Sequence, residues 1–262
     1  MGMKRILLPI LTALLLITAG CSNKSGEGII KVITLNIRYD NPRDSLNAWP
    51  NRAQIVTRFI QEEKPDLLGL QEVLNNQYEY LDSVLVDYSS IGVGRNDGSR
   101  SGEMCPVFYL KERFDFIRSR TFWLSETPEK PGSQAWGANL PRIVTWVELK
   151  ESNTGKHLYF FNTHFAHDSD SARLMSSYLL LQRVDSIASG YSFVITGDFN
   201  MTHSSKGYSV LTGPYESVPL LSDTYVASER DHTGPAYTFN GFSDKPREGR
   251  IDYVFVRNGM RV

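Results

Sequence analysis

Apolar residues recur along the chain in short runs, and the runs stop abruptly on polar groups. Ile30–Leu35, Asp66–Leu70, Pro106–Tyr109, Leu158–Phe161, Phe193–Thr196 and Ile251–Val256 have the length and near-continuous apolar character of buried strands. Helical patterns lie between some of them. Arg52–Glu63 places Ile55, Phe59 and Ile60 at helical spacing, and Pro65 stops it. Gln77–Val86 is a second helix. Ser171–Ile187 is the longest, with Leu174, Leu180, Leu181 and Val184 as its apolar stripe. From Ile29 onward no linker, repeat or low-complexity tract interrupts this alternation, which predicts one α/β domain with sizeable sheets over residues 29–262.

Composition narrows the class. With 41% hydrophobic and 22% charged residues in 262, the chain is not disordered, and it is long enough to bury a core without disulfides or a structural metal. The balance of 28 basic against 29 acidic side chains excludes a binder driven by a strong overall positive charge. Two cysteines, Cys21 and Cys105, exclude a disulfide scaffold and a Cys-rich zinc module. At the N-terminus, Lys4 and Arg5 precede the apolar run Ile6–Ile17, and Thr18, Ala19 and Gly20 lead into Cys21. This is a secretory signal over residues 1–20 that looks like a bacterial lipobox, with Cys21 as the lipidated residue and residues 21–28 as a polar tether. On this reading the protein is a monomer at the bacterial cell envelope that meets the membrane through its lipid anchor only. Cys105 is then a buried, unpaired thiol.

The polar groups at the ends of the apolar runs carry the chemistry. Val32-Ile33 runs into Thr34-Leu35-Asn36, Leu67–Leu70 into Gln71-Glu72, Tyr159–Phe161 into Asn162-Thr163-His164, and Val194–Thr196 into Gly197-Asp198-Phe199-Asn200. Strand ends converge on one edge of a sheet, where α/β proteins place their ligands. A set of Glu72, Asp198, Asn36, Asn200 and one imidazole, His164, is rich in oxygen. It suits a hard cation, Mg²⁺ or Mn²⁺, better than zinc.

The series TLNIR, QEV, NTH, GDFN and RIDYVFV, in this order, resembles the endonuclease/exonuclease/phosphatase superfamily, and the segments GVGRNDG, GEMCPVFY and TFWLSETPEKPGS resemble its secreted and lipid-anchored bacterial branch. The resemblance implies a four-layer α/β/β/α sandwich of the DNase I type and metal-dependent hydrolysis of a phosphate ester. That substrate is a nucleic acid, nucleotide, phospholipid or sugar phosphate. It implies that Glu72 and Asn36 hold the metal, and that Asp198 orients or deprotonates the attacking water with Asn200 beside it. It further implies that His164 donates to the phosphate and that Asp252 orients a second histidine. Glu103 and Tyr109 would line the substrate site. Arg38, Arg95, Arg142 and Arg173 are candidate phosphate contacts. Trp49, Trp123 and Trp146 read as core or site wall.

One departure stands out. Members of this superfamily usually end in Ser-Asp-His on a last strand, and no histidine follows Asp252 here; the five histidines are His157, His164, His167, His203 and His232. The resemblance therefore implies a chain truncated at its C-terminus, lacking its last strand and one catalytic residue. The competing reading is a catalytically impaired or non-catalytic lipid-anchored module with the same fold.

Overall fold

The computed structural model describes residues 28–213, 221–243 and 249–262; the predicted leader, Cys21 and most of the tether lie outside them. Ten strands follow one another as β1 (Val32–Asn36), β2 (Leu67–Gln71), β3 (Tyr88–Ile91), β4 (Val107–Leu110), β5 (Phe114–Trp123), β6 (Ile143–Glu151), β7 (His157–His164), β8 (Ser192–Asp198), β9 (Ser222–Asp223) and β10 (Asp252–Arg257). The α-helices are α1 (Trp49–Glu63), α2 (Asn75–Val84), α3 (Asp170–Ala188), α4 (Lys206–Thr212) and α5 (Thr224–Ala227). They form a four-stranded sheet, β1-β2-β4-β3, and a six-stranded sheet, β5-β6-β7-β8-β10-β9.

Three apolar clusters define four layers. Trp49, Ala53 and Ile60 of α1 and Leu81 of α2 pack on Leu68, Leu70 and Phe108 of the smaller sheet. Leu180, Leu181, Val184 and Ala188 of α3 and Leu211 of α4 pack on Phe161, Phe193 and Ile195 of the larger. Between the sheets, Leu67, Val107 and Tyr109 face Phe160, Val194 and Val256. The expected α/β/β/α sandwich is the observed one.

Strand side chains alternate between faces, and the registers sort the inner faces into tiers. Val32 beside Leu67, and Phe160 beside Val194 beside Val256, make an apolar tier. Two residues further along, Thr34 lies beside Gly69 and Asn162 beside Thr196. After two more, Asn36 stands beside Gln71 in one sheet, and His164, Asp198 and Asp252 form a row across β7, β8 and β10. The interior between the sheets thus passes from hydrocarbon to amide and hydroxyl to ionisable groups at one end of the sandwich.

Two expectations change. On α1 the buried stripe is Trp49, Ala53, Thr57 and Ile60, whereas Ile55 and Phe59 face solvent at 67% and 41% exposure. The small side chains of Ala53 and Thr57 bring the helix close to the sheet, and Thr57 returns its hydroxyl to Ala53 O. The two longest edge-side strands, β5 and β6, were not among the predicted runs.

Candidate active site

Three of the four predicted strand ends in the third tier leave their strands through unusual backbone. Arg38, Glu72 and Asn200, each just beyond a strand, have φ of 58°, 60° and 50°. Left-handed backbone at a non-glycine residue is unfavourable by about 1–2 kcal/mol. Here it has a consequence. Gln71 faces inward, so continued extension would turn Glu72 outward. The left-handed turn brings the Glu72 carboxylate back to the inner side, where Oε1 accepts from Asn36 Nδ2 at 2.9 Å and Oε2 from Tyr39 N at 3.2 Å.

Asn36 is the hinge of the cluster. The same Nδ2 donates to Asp198 Oδ2 at 3.0 Å, so one amide joins a carboxylate of the smaller sheet to one of the larger. Its Oδ1 is engaged by Arg38 N at 2.9 Å. In this arrangement Asn36 bridges the two carboxylates through Nδ2, while Oδ1 accepts one hydrogen bond and keeps its second lone pair. Asp198 Oδ1 accepts from Asn200 N at 2.9 Å.

His164 is buried. Its Nε2 lies 2.9 Å from Asn200 Nδ2 and 3.8 Å from Asp198 Oδ2, and its Nδ1 lies 4.0 Å from Glu103 Oε2. An amide NH₂ only donates, so Nε2 accepts and the hydrogen-bond pattern assigns the proton to Nδ1. Burial, followed by Arg142, Arg95 and His167, holds the His164 pKa well below its ordinary value. The imidazole is therefore neutral near pH 7, with Nδ1–H as its donor in this arrangement.

Glu103 is held by Arg95 through two bonds of 2.8 and 2.9 Å. It faces the His164 ring, and burial raises its pKa against the opposing pull of Arg95. Arg142 is buried, meets His167 Nδ1 at 3.0 Å, and leaves Nε and Nη1 enclosed without partners. Arg38 sits at the rim, 3.7 Å from Glu72 Oε2, and is clamped to Asp44 at 2.8 and 3.0 Å. Asp198 is pushed up to about 6, first by burial and then by Glu72, against the hydrogen bonds from Asn36 and Asn200. Asp252 is pushed up to about 8 by burial and then by Asp198 beside it, and its Oδ1 is enclosed without a partner.

Tyr109 does not join the site. β4 runs antiparallel to β2 and sets Tyr109 against Leu67, at the far end of the strand from Glu72. The four residue steps from Leu67 to Gln71, the end of the strand, alone span about 13 Å, and Tyr109 lies in the apolar tier, where it is 5% exposed. Arg173 is likewise absent, being tied to Ala166 O and Asp170 at the start of α3. Trp49, Trp123, Trp146 and Cys105 are core residues, and His232 is exposed and stacked on Tyr225. Sequence reasoning missed Asp44, which aims Arg38. It also missed Gln77, a fully buried helical glutamine that accepts from Asp40 N and donates to Arg38 O.

Among the described residues no three His, Cys, Asp or Glu side chains close into a metal cage. The donors fit an open site for a hard cation. Glu72 and Asp198 are drawn together by a single amide, and Mg²⁺ takes one or two carboxylates while keeping several waters. His167 Nδ1 is engaged by the Arg142 guanidinium beside it.

A two-sheet sandwich with carboxylates and amides gathered at one end defines a hydrolase-like class, and the sequence matches the Endonuclease/Exonuclease/phosphatase family over residues 33–262. The chain belongs to that family. It is similar to the endonuclease/exonuclease/phosphatase from Bacteroides vulgatus, at 41% identity and TM-score 0.83, covering 87% of this chain and 86% of that one. It is also similar to a mannosyl-6-phosphatase of Bacteroides thetaiotaomicron, at 33% identity and TM-score 0.83, covering 89% and 87%. An uncharacterised protein of Acanthamoeba polyphaga mimivirus is 28% identical over 250 residues, which are 87% of this chain and 88% of that protein.

Proposed function

We propose that the protein hydrolyses phosphate esters with the help of a divalent cation, Mg²⁺ or Mn²⁺. The observation that carries this reading is the junction of Glu72 and Asp198 through Asn36 at the head of the His164–Asp198–Asp252 row. Glu72 is the side chain that would hold the cation, with Asp198 adjacent. When bound, the cation supplies positive charge to the phosphoryl oxygens. Asp198, ionised above about pH 6 and fixed by Asn36 and Asn200, accepts a proton from the attacking water. Arg38 adds charge at the rim, and buried Arg142, with Nε and Nη1 unpartnered, adds a guanidinium near His164, where both favour an anionic substrate. Family membership and the similarity to a sugar-phosphate phosphatase support a small phosphomonoester as the first substrate class to assay.

The test is release of phosphate or alcohol from sugar 6-phosphates, p-nitrophenyl phosphate and bis(p-nitrophenyl) phosphate, with and without Mg²⁺. Metal-dependent turnover that disappears in Glu72→Ala supports the reading; absence of turnover across the panel overturns it. The reading as a fold without turnover draws on Asp252, whose carboxylate pairs with no imidazole among the described residues. The residues Lys4 to Cys21 further support a lipid-anchored envelope enzyme, which predicts that Cys21→Ser moves the protein from the membrane fraction to the soluble one.

A further inference from the structure

The tier beneath the site has a feature that catalysis does not use. Asn162 is fully buried and makes contacts to both sheets. Its Nδ2 donates across the sandwich to Leu70 O at 2.7 Å and Pro106 O at 2.9 Å. Its Oδ1 accepts from Gln71 Nε2 of the opposite sheet at 2.6 Å and from Thr196 Oγ1 of the neighbouring strand at 3.0 Å. Gln71 Nε2 also reaches Thr34 Oγ1 at 3.1 Å. The approach is close enough to require glycine opposite: a Cβ on Gly69 would stand 2.0 Å from Thr196 Oγ1 and 2.6 Å from Asn162 Oδ1.

The placement of this cluster is specific. Gln71 is joined by one peptide bond to Glu72, and Asn162 lies two residues before His164 on the same face of β7. Glu72 belongs to one sheet, and His164 and Asp198 to the other. The apolar tier between the sheets is non-directional and sets their separation without fixing their relative slide. Hydrogen bonds are directional, and buried amides are strongly disfavoured in any register that leaves them unpaired.

We infer that Asn162, together with Gln71 and Thr196, is an inter-sheet latch that fixes the position of Glu72 relative to His164 and Asp198. These are positioning residues that act through the carboxylates above them. The kinetic part of the inference rests on the phosphoesterase reading, whereas its metal-binding part does not need turnover.

The test compares Mn²⁺ affinity by titration calorimetry with kcat and KM for p-nitrophenyl phosphate. Supporting groups one step from a metal ligand are worth about 10–100-fold in affinity or activity. Asn162→Leu is expected to lose at least about 10-fold in Mn²⁺ affinity and in kcat, with KM little changed. Gln71→Met combined with Asn162→Leu is expected to lose no more than Asn162→Leu alone, because both act through one latch. Thr196→Val, which removes one donor at constant volume, is expected to shift both quantities in the same direction by about 3-fold, and Thr196→Ser to restore them. Unchanged affinity and kcat in Asn162→Leu overturn the inference. If that variant does not fold, the Thr196 pair decides: equal losses in Thr196→Val and Thr196→Ser indicate packing alone and overturn it. A wild-type protein that binds Mn²⁺ but cleaves no ester removes the phosphoesterase reading and leaves the calorimetric comparison to judge the latch.

Discussion

Two aspartates face each other across β8 and β10, and their environments move both pKa values in one direction for the same reason. Burial disfavours the charged form of each, and a neighbouring carboxylate adds to it, Glu72 for Asp198 and Asp198 for Asp252. Asp198 is brought to about 6, so a base at this position is protonated in acid and active above that value. The expected kcat/KM profile therefore rises with pH through about 6, or lower once a cation sits beside the carboxylate. Asp198→Asn should remove the limb and lower the rate by about 10²–10⁴-fold. A wild-type profile with no acid limb at or above about pH 4 contradicts this assignment. Asp252, raised to about 8, favours the folded state while protonated, and that stability is lost as pH climbs from its unfolded value near 3.8 through about 8. Asp252→Asn should thus match the wild type in thermal melting near pH 4 and exceed it by about 2 °C or more at pH 9. Parallel melting temperatures across that range count against a buried neutral carboxyl. Most of this site could be read from sequence because its residues end apolar runs, but Asn162 ends one too. Only pairing across the sandwich separates an amide that faces the site from one that ties the sheets together.

Helix α1 shows where periodicity is ambiguous. Ile55, Phe59 and Ile60 suggested one apolar face, yet the face that docks is Trp49, Ala53, Thr57 and Ile60. Helical spacing identifies a face only when the opposite one is polar, and Ala53 and Thr57 are too small to register as apolar positions. Ile55→Lys should change the urea unfolding free energy by no more than about 0.5 kcal/mol. Ile60→Ala, at a fully buried position, should cost about 2–5 kcal/mol. A large loss at Ile55 would mean that the exposed face is covered in solution. The runs that became β2, β7, β8 and β10 were legible because residues on both faces of each are largely buried. β5 was not legible: its middle, from Asp115 to Arg120, is largely exposed at the edge of its sheet and carries few apolar signals. In β6, Thr145 and Glu148 break an otherwise apolar run and are buried all the same.

At the scale of the whole molecule, stability and function draw on the same charges with opposite sign. The sandwich converges Glu72, Asp198 and Asp252 at one end, and a single amide spans the first two. Without a cation these carboxylates repel, so the site is a local weakness in a protein otherwise held by three apolar layers. A cation that binds the folded chain and not the unfolded one adds stability as RT ln(1 + [M]/Kd), about 2.7 kcal/mol at a hundredfold excess over Kd. For a chain of this size that corresponds to a melting temperature roughly 5–10 °C higher. Glu72→Ala removes both the ligand and one source of repulsion. It should therefore melt at or above the wild-type temperature in EDTA and show no increase in Mg²⁺ or Mn²⁺. The two curves should cross as metal is added, with the wild type less stable at low concentration and more stable at high. Scanning calorimetry over a metal series reads this directly. An equal metal-induced shift in both proteins would place the cation elsewhere, and a Glu72→Ala protein that melts well below the wild type in EDTA would show that Glu72 supports the fold through Asn36 and Tyr39 more than it strains it.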